Sequence, residues 1–229
     1  MAQRPVFVTS DTYPFVDEKI IDFEWHKGLA VTQKKKSIKS LHTAALEKFN
    51  ELTLLEISTK SDNPLGIELS AFNLMVQLKN KKEVPLENIF HAAKVFKHGG
   101  PFKDLLFMPA REAKSDIRLK ESGELTGFFS NGKTWPLMPK TIFYDWLYLN
   151  AIKLTPSLSA DIIDFNAFTD IEFNPKKSFN CQARSAALYV SLAKMGKLED
   201  CLSSPDSFIS LLGKASSEPI EPAQANLFG

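Results

Sequence analysis

The sequence predicts a helix-rich α+β fold in a single domain with a few short strands. The first observation is composition: 44% of the 229 residues are hydrophobic and 24% are charged, which is typical of an ordinary globular protein. The second is the presence of 18 phenylalanines against four tyrosines, which indicates a substantial buried core. The third is the order of the segments, because short strand-like stretches alternate with longer stretches of helical periodicity.

The first quarter of the chain is predicted to hold three short strands and one helix. The strands lie at residues 6–8, 20–25 and 54–58, and an Asp-Thr-Tyr-Pro turn separates the first two. A basic run, Thr32-Gln-Lys-Lys-Lys-Ser37, leads into the helix. Four apolar side chains hold helical spacing in it, namely Ile38, Leu41, Ala45 and Phe49.

The most informative segment is residues 85–98, which is predicted to form a helix. Pro85 suits the first helical position, and the run Gly99-Gly100-Pro101 would end the helix, with His98 as its C-terminal cap. One face would carry four polar side chains, namely Glu87, His91, Lys94 and His98. A carboxylate, an imidazole and an amine on one anchored face can perform acid–base chemistry. The alternative is a solvated face, and the spacing alone leaves both interpretations open.

The second half of the chain is predicted to be mainly helical. Two short apolar stretches, at 127–129 and 134–137, lie around an Asn131-Gly132 turn signal. Helices are expected at residues 109–121, 142–154 and 183–194. The tail at 215–229 is rich in Ser, Pro, Ala and Glu and has no periodicity, so we expect it to be disordered.

Charge, cysteine content and motifs exclude several classes of protein. A net charge of +1 gives no electrostatic basis for coating nucleic acid broadly, although a local basic patch stays open. Cys181 and Cys201 are the only cysteines, which leaves no basis for a disulfide framework or a cysteine-rich metal site. No phosphate-binding loop, dinucleotide fingerprint, nucleophile elbow or zinc-protease motif is present. No secretory leader or membrane-spanning segment is recognisable, so we expect a cytoplasmic protein without membrane contact.

Four short constellations could carry chemistry or could be purely structural. Ser70 and Asn73 offer small polar groups, or form a simple capped turn. The polar stretch 170–180 carries two carboxylates and is either a functional loop or a connector. The lysine triplet 34–36 is a solvated face, a phosphate contact or the source of an amine that forms a Schiff base. Trp135 would stack on a base or lie in the core.

Taken in order, these segments resemble the NADAR (YbiA-like) family, in particular its branch associated with DarT-type DNA ADP-ribosyltransferase toxins. Leu69-Ser-Ala-Phe-Asn73 resembles the family's serine–x–phenylalanine element. Residues 86–94 resemble its helix with an essential glutamate and a lysine, which places Glu87 and Lys94 at those two positions. Asp170-Ile-Glu-Phe-Asn174 resembles the late acidic element of the family.

The resemblance covers about residues 52–195 and includes some departures from the family pattern. Asn180 takes the position of the family asparagine. His91 stands where the family has glutamine, Asn88 where it has histidine, and Phe173 where it has tryptophan. These changes fit a divergent branch of the family.

The resemblance implies hydrolysis of the N-glycosidic bond between ADP-ribose and a guanine base in nucleic acid, with single-stranded DNA as the expected substrate. Removing the ADP-ribose would make the protein an antitoxin, with a DarT-type toxin as a partner. The reaction must stabilise positive charge at the anomeric carbon of the ribose and protonate the departing guanine amine. Side chains can meet both demands, so we expect no metal and no cofactor.

The resemblance also implies roles for individual residues. Glu87 is expected to act in acid–base catalysis or to support an oxocarbenium-like centre, and Asp170 to hold ribose hydroxyls or activate water. A lysine could instead trap the opened sugar as a Schiff base, with Lys35 as the first candidate and Lys94 as the second. The residues expected to bind the ligand are Ser70, Asn73, His91, Lys94, Trp135, Phe173 and Asn180.

The predicted organisation has three parts. Residues 1–51 form an N-terminal extension packed on the core, residues 52–200 form a NADAR-like hydrolase core, and residues 201–229 form a C-terminal segment with a disordered end. Two other functions stay open. One is an antitoxin that captures a toxin without turnover, for which a disordered tail is a suitable binding element. The other is an N-glycosidase that acts on a small nucleotide intermediate.

Overall fold

The computed structural model describes residues 1–175, 178–179 and 181–213, and in this part the chain forms an α+β single domain. The strands are β1 (Ala2–Thr9), β2 (Val16–Phe23), β3 (Leu54–Glu56), β4 (Met75–Gln77), β5 (Glu83–Pro85), β6 (Lys94–Phe96), β7 (Leu125–Ser130), β8 (Lys133–Trp135) and β9 (Ala167–Thr169). The α-helices are α1 (Val31–Lys48), α2 (Pro64–Glu68), α3 (Leu86–Ala92), α4 (Ala110–Ser115), α5 (Arg118–Glu121), α6 (Ile142–Lys153), α7 (Pro156–Asp161), α8 (Gln182–Lys194), α9 (Leu198–Cys201) and α10 (Pro205–Leu212). Short 3₁₀ helices span Lys103–Phe107 and Ile162–Asp164. The predicted fold class is therefore confirmed.

The largest sheet has the order β2-β1-β9-β3 and brings the N-terminal strands next to β9 from the second half of the chain. The two strands predicted on either side of the Asp-Thr-Tyr-Pro turn are present as β1 and β2, which pair antiparallel. Strand β9 runs antiparallel to β1 and parallel to β3. Strand β9 was not predicted, because three residues are too few to establish an alternating pattern. Residues 1–51 thus supply two of the four strands, and the proposed boundary at residue 51 stays a prediction.

Helix α1 covers one face of this sheet. Its buried side chains include Ile38, Leu41 and Ala45, which confirms the predicted helical spacing. They pack against Ile21 and Phe23 of β2 in a hydrophobic cluster. The rest of the core surrounds α6 and α8, which lie side by side at the centre of the described chain. No helix of the described chain is long and apolar enough to cross a bilayer.

The predicted helix at 85–98 is wrong in its second half. Helix α3 ends at Ala92, and the chain continues as β6, which pairs with β7. The Gly-Gly-Pro run does not end a helix but reverses this strand, since the Phe96 N–H donates to the Gly99 carbonyl. A Cβ added at Gly100, which has φ +88°, would lie 2.2 Å from the Lys94 carbonyl oxygen. His98 lies in this turn and is not a helix cap.

Every residue of α3 is buried, which overturns the solvated-face interpretation of this segment. The burial comes from the insertion between β6 and β7, whose 3₁₀ helix and α4 pack against α3. The Asn88 side-chain amide donates to three carbonyls of this insertion, those of Leu105, Leu106 and Met108. The predicted helix at 109–121 is present as α4 and α5, which are separated at Asp116.

The remaining predicted elements are confirmed. Strands β7 and β8 pair on either side of the predicted Asn131-Gly132 turn and form a hairpin. Asn131 and Gly132 have the positive φ angles, 51° and 81°, that its two-residue turn requires. Helices α6 and α8 match the predicted segments closely. The predicted disorder of residues 215–229 concerns a segment outside the described residues.

Candidate active site

A cavity of about 950 Å³ opens beside the N-terminal turn of α3. Helices α3, α4, α6 and α8, strands β6 and β7, and the loop after β9 contribute to its wall. The residues nearest the chemistry discussed below are Ser70, Phe72, Glu87, His91, Lys94, Lys114, Tyr144, Asp170 and Gln182. Three of its solvent-exposed lining residues, Met138, Lys140 and Phe179, form the part of the rim that we call the mouth. The structure therefore brings together several of the residues that the sequence placed far apart.

Glu87 lies in the wall of this cavity with only 6% of its surface exposed. Its backbone N–H donates to the Ala71 carbonyl, so α3 is anchored to the loop that contains Ser70. Its Oε1 lies 3.2 Å from His91 Nε2 and 2.9 Å from Lys114 Nζ. Burial alone would raise the pKa of Glu87, but the His91 hydrogen bond and the Lys114 charge outweigh it and lower the pKa to about 2. The carboxylate is thus ionised at neutral pH.

His91 connects this carboxylate to an amine. Its Nδ1 lies 3.0 Å from Lys94 Nζ, although Lys94 belongs to β6 and not to α3. Burial lowers the pKa of His91, which favours the neutral ring. The tautomer with its proton on Nε2 satisfies both contacts, because Nε2–H then donates to Glu87 and Nδ1 accepts from Lys94.

The Lys94 amine is unusually easy to deprotonate. Burial, and to a lesser extent the like charge of Lys114, lower its pKa to about 8, although the opposite charge of Glu87 raises it. Its Nζ also lies 4.8 Å from the centroid of the Phe90 ring. A buried lysine of this kind has a substantial neutral fraction near physiological pH and can act as a nucleophile.

Lys114 is the site residue that sequence reasoning missed most clearly. It lies on α4, where its side chain is 55% exposed, and it reaches Glu87 from the insertion between β6 and β7. Its Nζ also lies 5.1 Å from the centroid of the Phe72 ring. No local pattern around residue 114 signals this role, since the pairing depends on how α4 packs on α3.

Asp170 follows β9 and forms part of the cavity wall. Its Oδ1 accepts from the backbone N–H groups of Glu172 and Phe173, and its Oδ2 accepts from Gln182. Burial, and then the neighbouring Glu56 carboxyl, raise the pKa of Asp170. Asp170 thus holds the loop in place as well as facing the cavity.

Gln182, the first residue of α8, joins the two loops of the site. Its Oε1 accepts from the Ala71 N–H, and its Nε2 donates to the Ile57 carbonyl and to Asp170. No local pattern around Gln182 indicates this role, beyond its position next to the predicted helix at 183–194. The Tyr148 hydroxyl adds a further bond by donating to the Leu69 carbonyl, which fixes the start of the same loop.

A buried polar chain supports the Asp170 loop from the side of the N-terminal helix. Glu56 accepts from the Thr169 hydroxyl at 2.6 Å and from the Ile171 N–H at 2.9 Å. Thr169 Oγ1 lies 2.8 Å from His42 Nε2, which must donate because the hydroxyl proton goes to Glu56. Burial lowers the pKa of His42 to about 4, so this ring stays neutral. The chain links α1 to the loop after β9.

Five of the predicted ligand-binding residues fall in or near the cavity, and His91 and Lys94 have been described above. Ser70 and Phe173 line it, and the Ser70 hydroxyl has no hydrogen-bond partner among the described residues although it is buried. Asn73 lies in a neighbouring groove of about 580 Å³, where its side-chain amide donates to the Ile67 carbonyl. Phe72 borders both spaces. Ser70 therefore offers an unpaired hydroxyl to a bound molecule, whereas the Asn73 amide already donates to a carbonyl.

The structure corrects two other predictions and leaves a third untested. Lys35 lies on α1 outside the cavity wall, and its Nζ pairs with Asp62 at 2.6 Å. Trp135 is only 2% exposed, and the centroid of its ring lies 5.3 Å from the ring centroids of Phe143 and Trp146. It is therefore a core residue and does not line the cavity. Asn180 lies outside the described residues.

In the described chain, no group of three or more histidine, cysteine or acidic side chains is placed to hold a metal ion. The chemistry that this cavity can perform with its own side chains rests on an ionised carboxylate, a neutral imidazole and an amine of lowered pKa. A carboxylate of this kind can stabilise positive charge or accept a proton, and the amine can add to an aldehyde carbon.

The comparisons with known proteins identify the family of the chain. No curated protein matches the chain. A family model described as the DarT1-associated NADAR antitoxin matches residues 2–221, which is more than the 52–195 stretch on which the resemblance rested. The match includes the N-terminal hairpin and α1 as well as the loops that line the cavity. The chain therefore belongs to the family of DarT1-associated NADAR antitoxins.

Proposed function

We propose that this antitoxin hydrolyses the N-glycosidic bond between ADP-ribose and a guanine base in DNA, and so reverses the modification made by a DarT-type toxin. The observation that carries the proposal is the position of the ionised Glu87 carboxylate and the Lys94 amine in one cavity, each hydrogen-bonded to the ring of His91. Family membership supports the antitoxin role, and this geometry supports an enzymatic one.

Glu87 is suited to stabilise positive charge rather than to donate a proton. With a pKa of about 2, it is a carboxylate at neutral pH. Cleavage of the glycosidic bond develops positive charge on the anomeric carbon, which a nearby carboxylate stabilises most in the transition state. Of the two roles expected for Glu87, electrostatic support therefore fits better than general-acid catalysis.

Lys94 is suited to form a covalent intermediate. After the ribose ring opens to an imine, the neutral Lys94 amine adds to the anomeric carbon, and the bond from that carbon to the guanine nitrogen breaks. The guanine amine leaves with a proton from the Lys94 nitrogen, and a Schiff base between Lys94 and the sugar remains. Water then adds to the Schiff base, which releases ADP-ribose as its aldehyde and restores the amine. The pKa of about 8 and the position in the cavity support Lys94 over Lys35.

The remaining polar groups are assigned to binding. The unpartnered Ser70 hydroxyl is placed to bond a ribose or phosphate oxygen. Lys114 can exchange its contact with Glu87 for one with the pyrophosphate, since its side chain is half exposed. Asp170 is assigned to the ribose hydroxyls, because it already lines the cavity with its loop fixed by Gln182.

The test is to incubate the protein with a single-stranded oligonucleotide that carries one ADP-ribosylated guanine and to measure free ADP-ribose. Release at catalytic protein concentration supports the proposal. Release from an ADP-ribosylated guanine nucleoside alone would favour the small-nucleotide alternative. No release from either substrate, together with a stable complex with the toxin, would overturn hydrolysis in favour of toxin capture.

A further inference from the structure

The mouth of the cavity carries an exposed aromatic ring next to a lysine. Phe179 is 61% exposed, and Lys140 Nζ lies 3.9 Å from the centroid of its ring. Met138 beside them is 52% exposed. In the described chain, no carboxylate forms an ion pair with Lys140. The chemistry proposed above uses none of these three residues.

A polymeric substrate has to pass this mouth. If the modified guanine and its ADP-ribose occupy the cavity, the ADP-ribose has no part that must extend outside. The nucleic-acid strand, however, continues on both sides of the guanine. The strand must therefore leave where the cavity opens to solvent, and Met138, Lys140 and Phe179 are among the exposed residues that line it. The nucleotide next to the modified guanine then lies closest to these residues.

We propose that Phe179 and Lys140 form a platform that binds this neighbouring nucleotide, with its base stacked on the Phe179 ring and its phosphate next to Lys140. The proposal rests on the proposed function and adds a binding position for the nucleotide beside the modified guanine. Exposed aromatic rings next to cations bind single strands in this way, with little dependence on sequence. In a duplex, both faces of that base are covered by its neighbours, so the platform selects an unpaired strand.

The platform takes the role that the sequence suggested for Trp135. That side chain is in the core, whereas most of the surface of Phe179 remains exposed with Lys140 in place. Two other aromatic–lysine pairs line the cavity, Phe72 with Lys114 and Phe90 with Lys94. Both lie on the side of Glu87 and belong to the reacting end.

The chain offers a matched control for this proposal. Phe107 is 58% exposed, and Lys82 Nζ lies 5.1 Å from the centroid of its ring, yet neither residue lines the cavity. Phe107→Ala thus removes the same kind of exposed pair at a different place. Two substrates are compared, the single-stranded oligonucleotide with one ADP-ribosylated guanine and the ADP-ribosylated guanine nucleoside.

We expect Phe179→Ala to lower the ratio of kcat/KM for the oligonucleotide to that for the nucleoside by at least about fivefold, because stacking is worth about 1–3 kcal/mol per base. Lys140→Gln should lower the same ratio and should reduce the slope of log(kcat/KM) against log(salt) by about one phosphate contact. Phe107→Ala should leave the ratio unchanged.

An equal loss on both substrates would overturn the proposal, since Phe179 would then contact ADP-ribose itself, and an unchanged ratio would also overturn it. If wild-type protein cleaves neither substrate, the proposed function fails, but the platform can still be tested by binding. Affinity for an unmodified single-stranded oligonucleotide should then fall in Phe179→Ala and not in Phe107→Ala. Equal affinity of all three proteins would contradict the platform.

Discussion

The Nζ of Lys94 lies 3.0 Å from Nδ1 of His91, although one residue belongs to a strand and the other to a helix. The two were expected on one helical face, but the helix ends between them. They still meet, because Lys94 is the first residue of β6 and only Ala93 separates it from the end of α3. This contact and the one between His91 and Glu87 place a carboxylate and an amine on opposite nitrogens of one ring.

Glu87→Gln should reduce ADP-ribose release from the modified oligonucleotide by at least about 100-fold, because the amide has the shape of the carboxylate without its charge. Release of ADP-ribose under single-turnover conditions measures the loss. Glu124→Gln is the matched control, since Glu124 also lines the cavity but is exposed. Comparable losses in both variants would contradict a specific role for Glu87.

Lys94 should be the residue that becomes attached to the sugar. Sodium borohydride added during turnover reduces a Schiff base to a stable amine, and peptide mass spectrometry then locates the adduct. We expect the adduct on Lys94, and no adduct in Lys94→Arg, because a guanidinium does not form the imine. An adduct on Lys35 would instead support the first candidate from the sequence, against the position of Lys35 outside the cavity.

The pH dependence of the reaction should follow the Lys94 amine. Only the neutral amine is a nucleophile, so kcat/KM should rise with pH through about 8 and then level off. The Glu87 pKa of about 2 predicts no loss of activity between pH 5 and pH 7 from that group. Lys114 lowers the pKa of Lys94, so Lys114→Ala should move the inflection to higher pH. A profile that falls across pH 7–9 would contradict this assignment.

The same lowered pKa predicts a contribution of Lys94 to stability. Between pH 8 and the usual lysine value of 10.5, the unfolded chain holds a proton on this amine that the folded protein has lost. The free energy of unfolding should therefore rise with pH across this window, by up to about 3 kcal/mol. Denaturant unfolding of wild-type protein and Lys94→Met at several pH values measures the difference, which should disappear in the variant.

Gln182→Leu should destabilise the protein by about 2–4 kcal/mol, because it leaves the Ala71 N–H and the Ile57 carbonyl without their partner. Urea denaturation monitored by circular dichroism measures the loss. Gln77→Leu, at an exposed position on β4, controls for the change in side chain and should have little effect. Equal stability of the two variants would show that the bridge between the site loops is unimportant.

Trp135→Ala should lower the free energy of unfolding by about 3–5 kcal/mol, as expected when a buried tryptophan is truncated. Trp135→Phe keeps most of the packing against Phe143 and should leave KM for the modified oligonucleotide within about twofold. Denaturant unfolding and steady-state kinetics provide the two measurements. A large rise in KM for a folded Trp135→Phe protein would restore Trp135 as a ligand contact.

The sequence by itself determined the α+β class, the Asn131-Gly132 turn, the long helices and the family, and it singled out Glu87 as a candidate site residue. These features follow from local causes, since turn residues and the period of apolar side chains act over a few neighbouring positions. The end of α3 could not be predicted in this way, because pairing with β7 decides that Lys94 is in a strand.

Only the tertiary structure decided which candidates share the cavity. It brought Lys114 to Glu87 and Gln182 to Asp170, and it removed Lys35 and Trp135 from the site. Such contacts join residues that are far apart in the chain, and their positions depend on how the insertion, the sheet and the central helices pack. The charges that set the pKa of Glu87 and of Lys94 depend on the same packing, because they come from these distant neighbours and from burial.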